Sequence, residues 1–545
     1  MQRICSIILS LFIFITSFAQ AGTPGETLQR PKLVVGITID QMRWDYLYRY
    51  YDRYAADGGF KRMLNQGFSC ENTLIPYAPT VTAPGHTTIY TGSVPAIHGI
   101  AGNFWWDEAQ QRDVYCTEDK SVKTVGSSSN AGLQSPRNML VTTICDELRL
   151  ATNFRAKVIG VAAKDRGGIL PAGHSANAAY WYDGSVGNWI TSTYYMADLP
   201  QWVKEINGKK LVDKYYQKGW NTLYPINTYS QSTSDEKSYE SKSIGTGFPY
   251  DLKKFIGKNY SAILSTPHGN TFTIEMAKGA IEGESLGADG ITDFLALSFS
   301  STDYIGHGFG PNSIEQEDDF LRLDKELGEF LNYLDSKIGQ GQYTIFLSSD
   351  HGVAHVPGFM KENKIPAGTF SEGAVLEQLN QQLKDKFGTG NLALNISNYQ
   401  LVLNNNVINA DRKLNRQEIV DLAVAFLSKQ EAVARAFDLK QIGLVPLPGK
   451  IKEIIENGFF PARGGDVQII LKSNYMESFS STGTTHGMWY PYDAHIPLLW
   501  YGWGIKAGKT NRETYMTDIA PTLAALLHIQ MPGGSIGKVI SEVMK

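Results

Sequence analysis

The sequence predicts an α/β fold in which a mostly parallel central sheet is flanked by helices. Apolar runs that end in polar residues and a turn recur along the chain, and segments with helical spacing of apolar residues lie between them. Strands and helices that alternate in this way form a parallel sheet that is covered on both faces. The 545 residues, 42% of them hydrophobic, are enough for one large domain of this class.

Apolar runs without polar interruption are the predicted core strands of this sheet. A run of this kind is typical of a parallel strand that is buried on both faces. The runs are "KLVVGITID", which ends in Asp40, "AKVIGVAAKDRGG", "ITDFLALSFSSTD" and "YTIFLSSDHG". The segment "DDFLRLDKELGEFLNYLD" predicts a helix whose apolar face consists of Phe320, Leu323, Leu327, Phe330, Leu331 and Leu334.

Two long stretches interrupt this alternation. Residues about 175–285 are rich in Tyr, Trp, Ser, Asn and Gly, and residues about 355–475 combine amphipathic helices with Asn-rich turns. We interpret both stretches as insertions that decorate or cap the main sheet. The sequence therefore predicts a single domain over residues 22–545 that carries two insertions.

Residues 1–21 have the organisation of a secretory signal peptide. Arg3 precedes an apolar run over residues 4–18, and Ala19-Gln20-Ala21 provides a cleavage site of small residues. The alternative is an uncleaved membrane anchor, but the run is shorter than the roughly 20 residues that a span needs. No later segment is long and apolar enough to cross a membrane. We therefore expect a periplasmic or secreted protein without a membrane span after signal removal.

The net charge of the chain disfavours nucleic acid as a partner, and its cysteines limit the disulfide bonds that it can form. The net charge of −4 and the isoelectric point near 6.2 do not provide the basic surface that nucleic acid binding requires. Cys145 lies among apolar residues at helical spacing and is predicted to be a buried thiol. Cys70 and Cys116 are then the candidate disulfide, and no cysteine of the three has metal-site spacing.

Acidic residues and histidines follow the predicted strands, where ligands of a parallel sheet bind. Taken singly, an aspartate at a strand end can cap a helix and a histidine can be structural. Together they form a mixed oxygen and nitrogen ligand set that suits zinc better than calcium. Six ligands are too many for one tetrahedral ion and suit two. The set is Asp40, Asp303, His307, Asp350, His351 and His486.

The ordered motifs of the chain resemble the alkaline phosphatase superfamily. The resemblance runs from Lys32 to about Leu527 through "GITIDQMRWDYL", "PTVTAPGHTTIYTGSVPAIHGIAGNFWWD", "AAKDRGG", "SSTDYIGHGFGP", "SSDHGV", "THGMWYPYDAHIPLLWYG" and "TDIAPTLAALL". It is strongest with the bacterial secreted phosphate monoesterases of the flavobacterial type, which are related to nucleotide pyrophosphatases and phosphodiesterases. The resemblance implies an alkaline phosphatase that hydrolyses small phosphate monoesters.

The resemblance also implies a role for each residue of the site. Thr82 in "TAPGH" is the nucleophile, and Asn103 hydrogen-bonds a phosphoryl oxygen. A threonine hydroxyl needs a metal to become an alkoxide at neutral pH. One zinc ion, held by Asp40, Asp350 and His351, would bind Thr82. A second, held by Asp303, His307 and His486, would stabilise the leaving oxygen and later activate water, which gives two Zn²⁺ per chain and a phosphothreonine intermediate.

Lys164 and Arg166 in "AAKDRGG" are expected to select the substrate class. After a strand, positions i and i+2 point the same way, so both cations could reach one anion. Without the resemblance, a solvated pair flanking Asp165 is the simpler interpretation. In the monoesterase branch this K-x-R motif contacts the phosphoryl dianion, and the diesterase relatives lack it. The pair therefore favours monoesters.

Three alternative functions share parts of this pattern. A sulfatase takes its nucleophile from a C/S-x-P-x-R motif, whereas this chain has Thr82-Ala83-Pro84-Gly85-His86. A phosphodiesterase or nucleotide pyrophosphatase uses the same threonine and metal set, and only the cation pair disfavours it. A metal-stabilised carbohydrate-binding protein would use exposed aromatic side chains such as Trp181, Tyr182 and Trp189.

The remaining histidines and threonines of these motifs are predicted to be structural. The alternative to a structural role for these histidines is to contact and orient a metal-ligand residue. They are His86, His98, His355 and His495. Thr80, Thr87, Thr88 and Thr91 are predicted to cap or pack a helix that begins near Pro84. We find no acidic set for a third metal ion, and we expect the chain to act as a monomer.

Overall fold

The computed structural model describes residues 28–477 and 482–545, so the predicted signal peptide lies outside the described residues. The strands are β1 (Leu33–Ile39), β2 (Phe68–Cys70), β3 (Thr73–Leu74), β4 (Phe104–Asp107), β5 (Arg112–Tyr115), β6 (Thr124–Val125), β7 (Val158–Ala162), β8 (Ala178–Asp183), β9 (Asn188–Ser192), β10 (Asp293–Phe299), β11 (Tyr343–Ser348), β12 (Gly368–Phe370), β13 (Ala393–Ser397), β14 (Gln400–Leu403), β15 (Val433–Asp438), β16 (Val467–Leu471), β17 (Tyr475–Glu477), β18 (His495–Ile496), β19 (Leu498–Gly502), β20 (Gly508–Thr510) and β21 (Thr514–Tyr515).

The α-helices lie mostly between these strands. They are α1 (Tyr46–Arg49), α2 (Gly59–Gln66), α3 (Thr82–Thr91), α4 (Pro95–His98), α5 (Ile144–Ala151), α6 (Asp165–Ala172), α7 (Gln201–Gly208), α8 (Leu211–Lys218), α9 (His268–Gly283), α10 (Ser301–Phe309), α11 (Ile314–Leu334), α12 (Pro357–Glu362), α13 (Glu372–Phe387), α14 (Asn405–Ala410), α15 (Arg416–Leu427), α16 (Gly449–Gly458), α17 (Pro491–Ala494) and α18 (Ile519–Leu527). Among the described residues, no helix has the length and apolar character that crossing a membrane requires.

The central sheet has the strand order β20-β2-β19-β11-β1-β10-β7-β8-β9-β6 within the described residues. Strands β11, β1, β10, β7 and β8 pair in parallel, and β19 pairs antiparallel with β11. The predicted α/β fold with a mostly parallel sheet is therefore confirmed. The register places Ile39 opposite Phe299 and Thr38 opposite Ser348, so the carboxyl ends of β1, β10 and β11 meet at one edge.

The continuous apolar runs are explained by a sheet with a core on each face. Leu33, Val35 and Ile37 of β1 lie in one hydrophobic cluster, whereas Val34 lies in the cluster on the opposite face. Successive side chains of a strand point to opposite faces of the sheet. A strand between two cores therefore needs apolar side chains on both faces. The predicted apolar face of α11 is buried in the first cluster, as expected.

The stretch 175–285 contributes two strands, β8 and β9, to the central sheet before its helices begin. These strands carry Trp181, Tyr182 and Trp189, whose exposed fractions are only 1%, 7% and 0%. The idea that these aromatic side chains are exposed for carbohydrate binding is therefore wrong. Tyr182 and Trp189 pack between the sheet and α9, where both contact Phe272, whereas Trp181 is buried in the cluster on the opposite face of the sheet.

The stretch 355–475 contains a separate sheet with the order β13-β14-β16-β15 and its own hydrophobic cluster. The sheet and helices α13 and α15 bury this cluster between them. The subdomain touches the β4–β5 hairpin of the main domain through two side-chain amides. Asn395 donates to Asp113, and Asn398 donates to the carbonyl of Phe104.

Cys70 and Cys116 are both free thiols, so the predicted disulfide is wrong. Cys70 lies on β2 in the cluster that contains Trp500, whereas Cys116 packs with Trp105 and Leu170 in a different cluster. Two cysteines in separate cores cannot form a bond without a large backbone movement. Cys145 is buried in α5, as predicted.

We expect the folded protein to leave its three buried thiols unmodified by an alkylating reagent and to expose all three after unfolding without a reductant. Burial raises the pKa of Cys70 and of Cys116 to about 12, so neither is a reactive thiolate at neutral pH. Peptide mapping by mass spectrometry measures the result. A peptide pair that joins Cys70 to Cys116 before reduction would contradict it.

Candidate active site

Residues that follow the carboxyl ends of four parallel strands converge at one edge of the central sheet. Asp40 follows β1, and Asp350 with His351 follows β11. Strand β10 leads into α10, which carries Asp303 and His307 one turn apart, and β7 leads into α6. His486 comes from the loop before α17. The structure therefore brings together all six predicted ligand residues.

The six residues form two groups, each with ligand atoms within 4.8 Å of one another. The first group is Asp40, Asp350 and His351. Nε2 of His351 lies 3.5 Å from Oδ1 of Asp40 and 3.4 Å from Oδ2 of Asp350. Nδ1 of His351 donates to the carbonyl of Gly352, which fixes the orientation of the ring and leaves the lone pair of Nε2 available to bind a metal ion.

The second group is Asp303, His307 and His486. Oδ1 of Asp303 lies 3.2 Å from Nε2 of His307 and 3.7 Å from Nε2 of His486. Each histidine donates its Nδ1 hydrogen to a backbone carbonyl, of Thr484 and of Thr80 respectively. The same orientation of the ring is common for histidines that bind a metal through Nε2.

The donors of both groups fit a divalent cation. Among the described residues, Oδ1 of Asp40 and Oδ2 of Asp350 are buried without a hydrogen-bond partner. Burial, with the charges of Asp303 and Asp350, raises the pKa of Asp40 well above its ordinary value. Burial and the neighbouring histidines hold the pKa of His486 well below its ordinary value, so this ring is neutral. Clustered buried carboxylates need added positive charge.

Lys164 supplies part of that positive charge. Its Nζ donates to Oδ2 of Asp40 at 2.7 Å and to Oδ2 of Asp303 at 2.5 Å, so it joins the two groups. Burial lowers the pKa of Lys164, but the two carboxylates outweigh burial and raise the pKa above its ordinary value. The ammonium group therefore stays protonated at the centre of the site.

Thr82 is the first residue of α3 and is fully buried. Its Oγ1 lies 3.5 Å from Nζ of Lys164 and 3.5 Å from Nε2 of His351, so it faces the first ligand group. The backbone N–H of Ala83 donates to Oδ1 of Asn103 at 2.9 Å, which places Asn103 beside the helix start. The N-terminus of a helix favours a bound anion because its first N–H groups and the helix dipole point at it.

Lys164 and Arg166 follow strand β7, as predicted, but they belong to a helix start, so the alternation of strand side chains does not orient them. Strand β7 ends at Ala162, Lys164 is the N-cap of α6, and Arg166 lies in its first turn. Arg166 donates to the hydroxyl of Tyr115 at 3.0 Å, and that hydroxyl donates to Asp165 at 2.5 Å. Both cations thus project from a helix start at the same sheet edge.

The family model of type I phosphodiesterase / nucleotide pyrophosphatase matches residues 34–488, a range that includes Thr82 and all six ligand candidates. The chain belongs to this family. The resemblance to the alkaline phosphatase superfamily is thereby confirmed.

Three proteins are similar in sequence to this chain over almost its whole length. Alkaline phosphatase PhoV of Synechococcus elongatus is 56% identical over 523 residues, which cover 95% of this chain and 94% of PhoV. A Myroides odoratus protein named calcium-transporting ATPase is 54% identical over 535 residues, 97% of each chain. Alkaline phosphatase PafA of Elizabethkingia meningoseptica is 49% identical over 540 residues, 98% of each chain. The crystal structure of PafA matches with a TM-score of 0.93 over 95% of this chain and 100% of that chain.

Two polar residues of this site, Gln41 and Tyr115, are not predicted from the sequence, and a third, His86, is predicted there to be structural. Gln41 donates to Asp303, and Tyr115 holds Arg166. His86 donates from Nδ1 to the carbonyl of Thr82, and the same nitrogen lies 3.2 Å from Oδ2 of Asp350. Gln41 could have been identified as a site residue because it directly follows Asp40. No sequence pattern connects Tyr115 to Arg166.

The other histidines lie outside the two groups. His98 accepts a hydrogen bond from the backbone N–H of Ile100, and burial lowers its pKa to about 3. His355 contacts Arg43 and Asn312, and His495 stacks on Trp44. These contacts are those of histidines that hold loops in place.

Proposed function

We propose that this chain is a zinc-dependent alkaline phosphatase that hydrolyses phosphate monoesters through a phosphothreonine at Thr82. The relatives PhoV and PafA, named alkaline phosphatases, support phosphatase activity. The observation that carries the proposal is the position of Thr82 Oγ1, 3.5 Å from both Lys164 Nζ and His351 Nε2. A hydroxyl between a cation and a candidate metal group is placed to act as a nucleophile.

The side chains around Thr82 are arranged to hold a phosphoryl group. Oδ1 of Asn103 accepts a hydrogen bond from Ala83, so the amide NH₂ of Asn103 is the part left for a phosphoryl oxygen. Lys164 and Arg166 provide charge-assisted donors, and the start of α3 favours the anion. A solved variant of PafA replaces a threonine, an asparagine, a lysine and an arginine, the four residue types proposed here.

The reaction would proceed in two displacements at phosphorus. Thr82 Oγ1 gives up its proton and forms a bond to phosphorus while the ester P–O bond breaks, and the departing oxygen takes up a proton to leave as the alcohol. Water then attacks the phosphothreonine, releases inorganic phosphate and restores the Thr82 hydroxyl. Zinc, when bound by the two groups, would lower the pKa of an attacking hydroxyl and stabilise the leaving oxygen. Lys164 would stabilise the charge that develops on Thr82 Oγ1 and on the phosphoryl oxygens.

A phosphodiesterase or nucleotide pyrophosphatase is the second candidate, because the matching family model carries that description. It needs the same nucleophile and ligand groups. Two buried or half-buried cations beside one phosphoryl position favour a monoester, which carries more negative charge than a diester. The predicted signal peptide supports export to the periplasm or the medium, and we propose that the enzyme acts as a monomer.

We expect the purified protein to contain about two zinc ions per chain and to lose phosphatase activity on exhaustive chelation, because both ligand groups are needed. Metal analysis and hydrolysis of an aryl phosphate before and after return of zinc measure the result. His486→Asn should remove one ion, whereas the control His495→Gln should keep both. One tightly bound calcium, or full activity after chelation, would contradict the proposed function.

A further inference from the structure

Gln41 is a buried residue with an unusual backbone conformation between the two ligand groups. It follows Asp40 directly, is fully buried, and has a φ of 68° in the left-handed region. A residue with a Cβ is disfavoured there, and strain of this kind concentrates at functional sites. We therefore expect contacts of Gln41 with its neighbours to stabilise this left-handed backbone.

Two hydrogen bonds connect Gln41 to a carboxylate in each group. Its backbone N–H donates to Oδ1 of Asp350 at 3.1 Å, and its side-chain Nε2 donates to Oδ1 of Asp303 at 2.6 Å. Its own backbone continues from Asp40. One residue thus touches or adjoins all three aspartates of the two groups.

The orientation of the Gln41 amide is fixed by its surroundings. Only a donor can lie 2.6 Å from a carboxylate oxygen, so Nε2 must face Asp303 and Oε1 must point away. Among the described residues Oε1 has no hydrogen-bond partner. It occupies the space beside Gly306 in α10, where a Cβ would lie 1.9 Å from Oε1. The glycine, otherwise unfavourable inside a helix, leaves room for this amide.

We propose that Gln41 is the positioning residue that sets Asp303 relative to Asp350, and that Gly306 provides the space for its amide. The inference rests on the two-zinc site of the proposed function. Asp303 is the carboxylate of the second group, so loss of the amide contact would loosen the ion of that group. Partners that orient a metal ligand typically change metal affinity about 10- to 100-fold when removed.

The test is Gln41→Gly in the zinc-loaded protein, with zinc release to a colorimetric chelator followed in time. Glycine relaxes the left-handed backbone and keeps the N–H bond to Asp350, but it removes the amide from Asp303. We expect one of the two ions to leave about 10- to 100-fold faster, and the other to leave as in the wild type. Gln111→Gly is the matched control, because Gln111 is an exposed glutamine with a φ of 52°.

A second pair of variants tests the same contact without relying on the backbone of residue 41. Gly306→Ala should speed the release of the same ion, because the new Cβ displaces the Gln41 amide. In the Gln41→Gly background the same alanine should add nothing, because Cδ and Oε1 of Gln41 are the nearest atoms it would meet.

The outcomes separate this inference from the proposed function. Wild-type rates for both ions in Gln41→Gly would overturn the positioning role. Equal acceleration of both ions would also overturn it, since that result indicates general loosening of the site. An equal effect of Gly306→Ala in both backgrounds would overturn the part assigned to Gly306. Fewer than two zinc ions in the wild-type protein would contradict the proposed function, and the inference with it.

Discussion

The Thr82→Ala variant should lose phosphate monoester hydrolysis by about four to six orders of magnitude while it keeps its fold and its zinc. The proposed reaction needs a side-chain oxygen at residue 82 that can bond to phosphorus, and alanine has none. The neighbouring hydroxyls cannot replace it, because Thr87 and Thr91 donate to carbonyls of their own helix. The measurement is kcat for an aryl phosphate, with zinc content determined on the same sample.

Two further variants distinguish loss of the nucleophilic hydroxyl from structural damage to helix α3. Thr82→Ser keeps a hydroxyl on the same backbone position and should retain far more activity than Thr82→Ala. Thr87→Ala removes a buried hydroxyl from the same helix without touching the site, and turnover should stay within a few-fold of wild type. Near-normal activity of Thr82→Ala would show that another group attacks phosphorus.

The double variant Lys164→Ala/Arg166→Ala should slow monoester hydrolysis far more than diester hydrolysis. A diester has one more oxygen esterified and offers less charge to the two cations. Each contact in a water-poor site contributes about 2 to 4 kcal/mol to transition-state binding, or roughly 30- to 1000-fold in rate. The two contributions need not add, because the proposed function assigns both cations to one phosphoryl group. The measurement is kcat/KM for an aryl phosphate and for its methyl diester.

The single variant Arg166→Ala separates substrate selection from support of the ligand groups. Lys164 also bonds to Asp40 and Asp303, so its removal affects the ligand groups as well as the substrate. Arg166 is held by Tyr115 instead, so Arg166→Ala should show the selective loss with zinc content unchanged. Tyr115→Phe, which frees the guanidinium, should show a smaller loss of the same kind. An equal loss on both substrates would remove the main support for a monoesterase.

The sheet and the ligand residues could be predicted because each depends on a local pattern. A strand between two cores is apolar at most positions, and β1 has seven consecutive buried residues, of which only Thr38 has a polar side chain, that lead to Asp40. The carboxyl ends of parallel strands meet, so residues far apart in sequence, such as Asp40 and Asp350, could be placed together. The family resemblance divides the six candidate ligands into two groups, and the structure contains the same two groups.

The remaining features depend on tertiary contacts that leave no local pattern. The left-handed backbone of Gln41 is maintained by contacts with Asp303 and Asp350, which are distant in sequence. The burial of Trp181 and Trp189 depends on a sheet that continues beyond β7 into a stretch with the composition of an insertion. Cysteine spacing does not show that Cys70 and Cys116 lie in different cores.

Direct capture of the phosphorylated enzyme tests the central claim, which is that Thr82 carries the phosphoryl group during turnover. The zinc-loaded protein is mixed with an aryl phosphate, quenched in acid within one turnover, digested, and mapped by mass spectrometry. We predict one added phosphoryl group on the peptide that contains Thr82, assigned to that residue by fragmentation and absent from Thr82→Ala. A phosphoryl group on a different residue, or steady turnover with no phosphorylated peptide under conditions that detect a phosphothreonine standard, would contradict the claim.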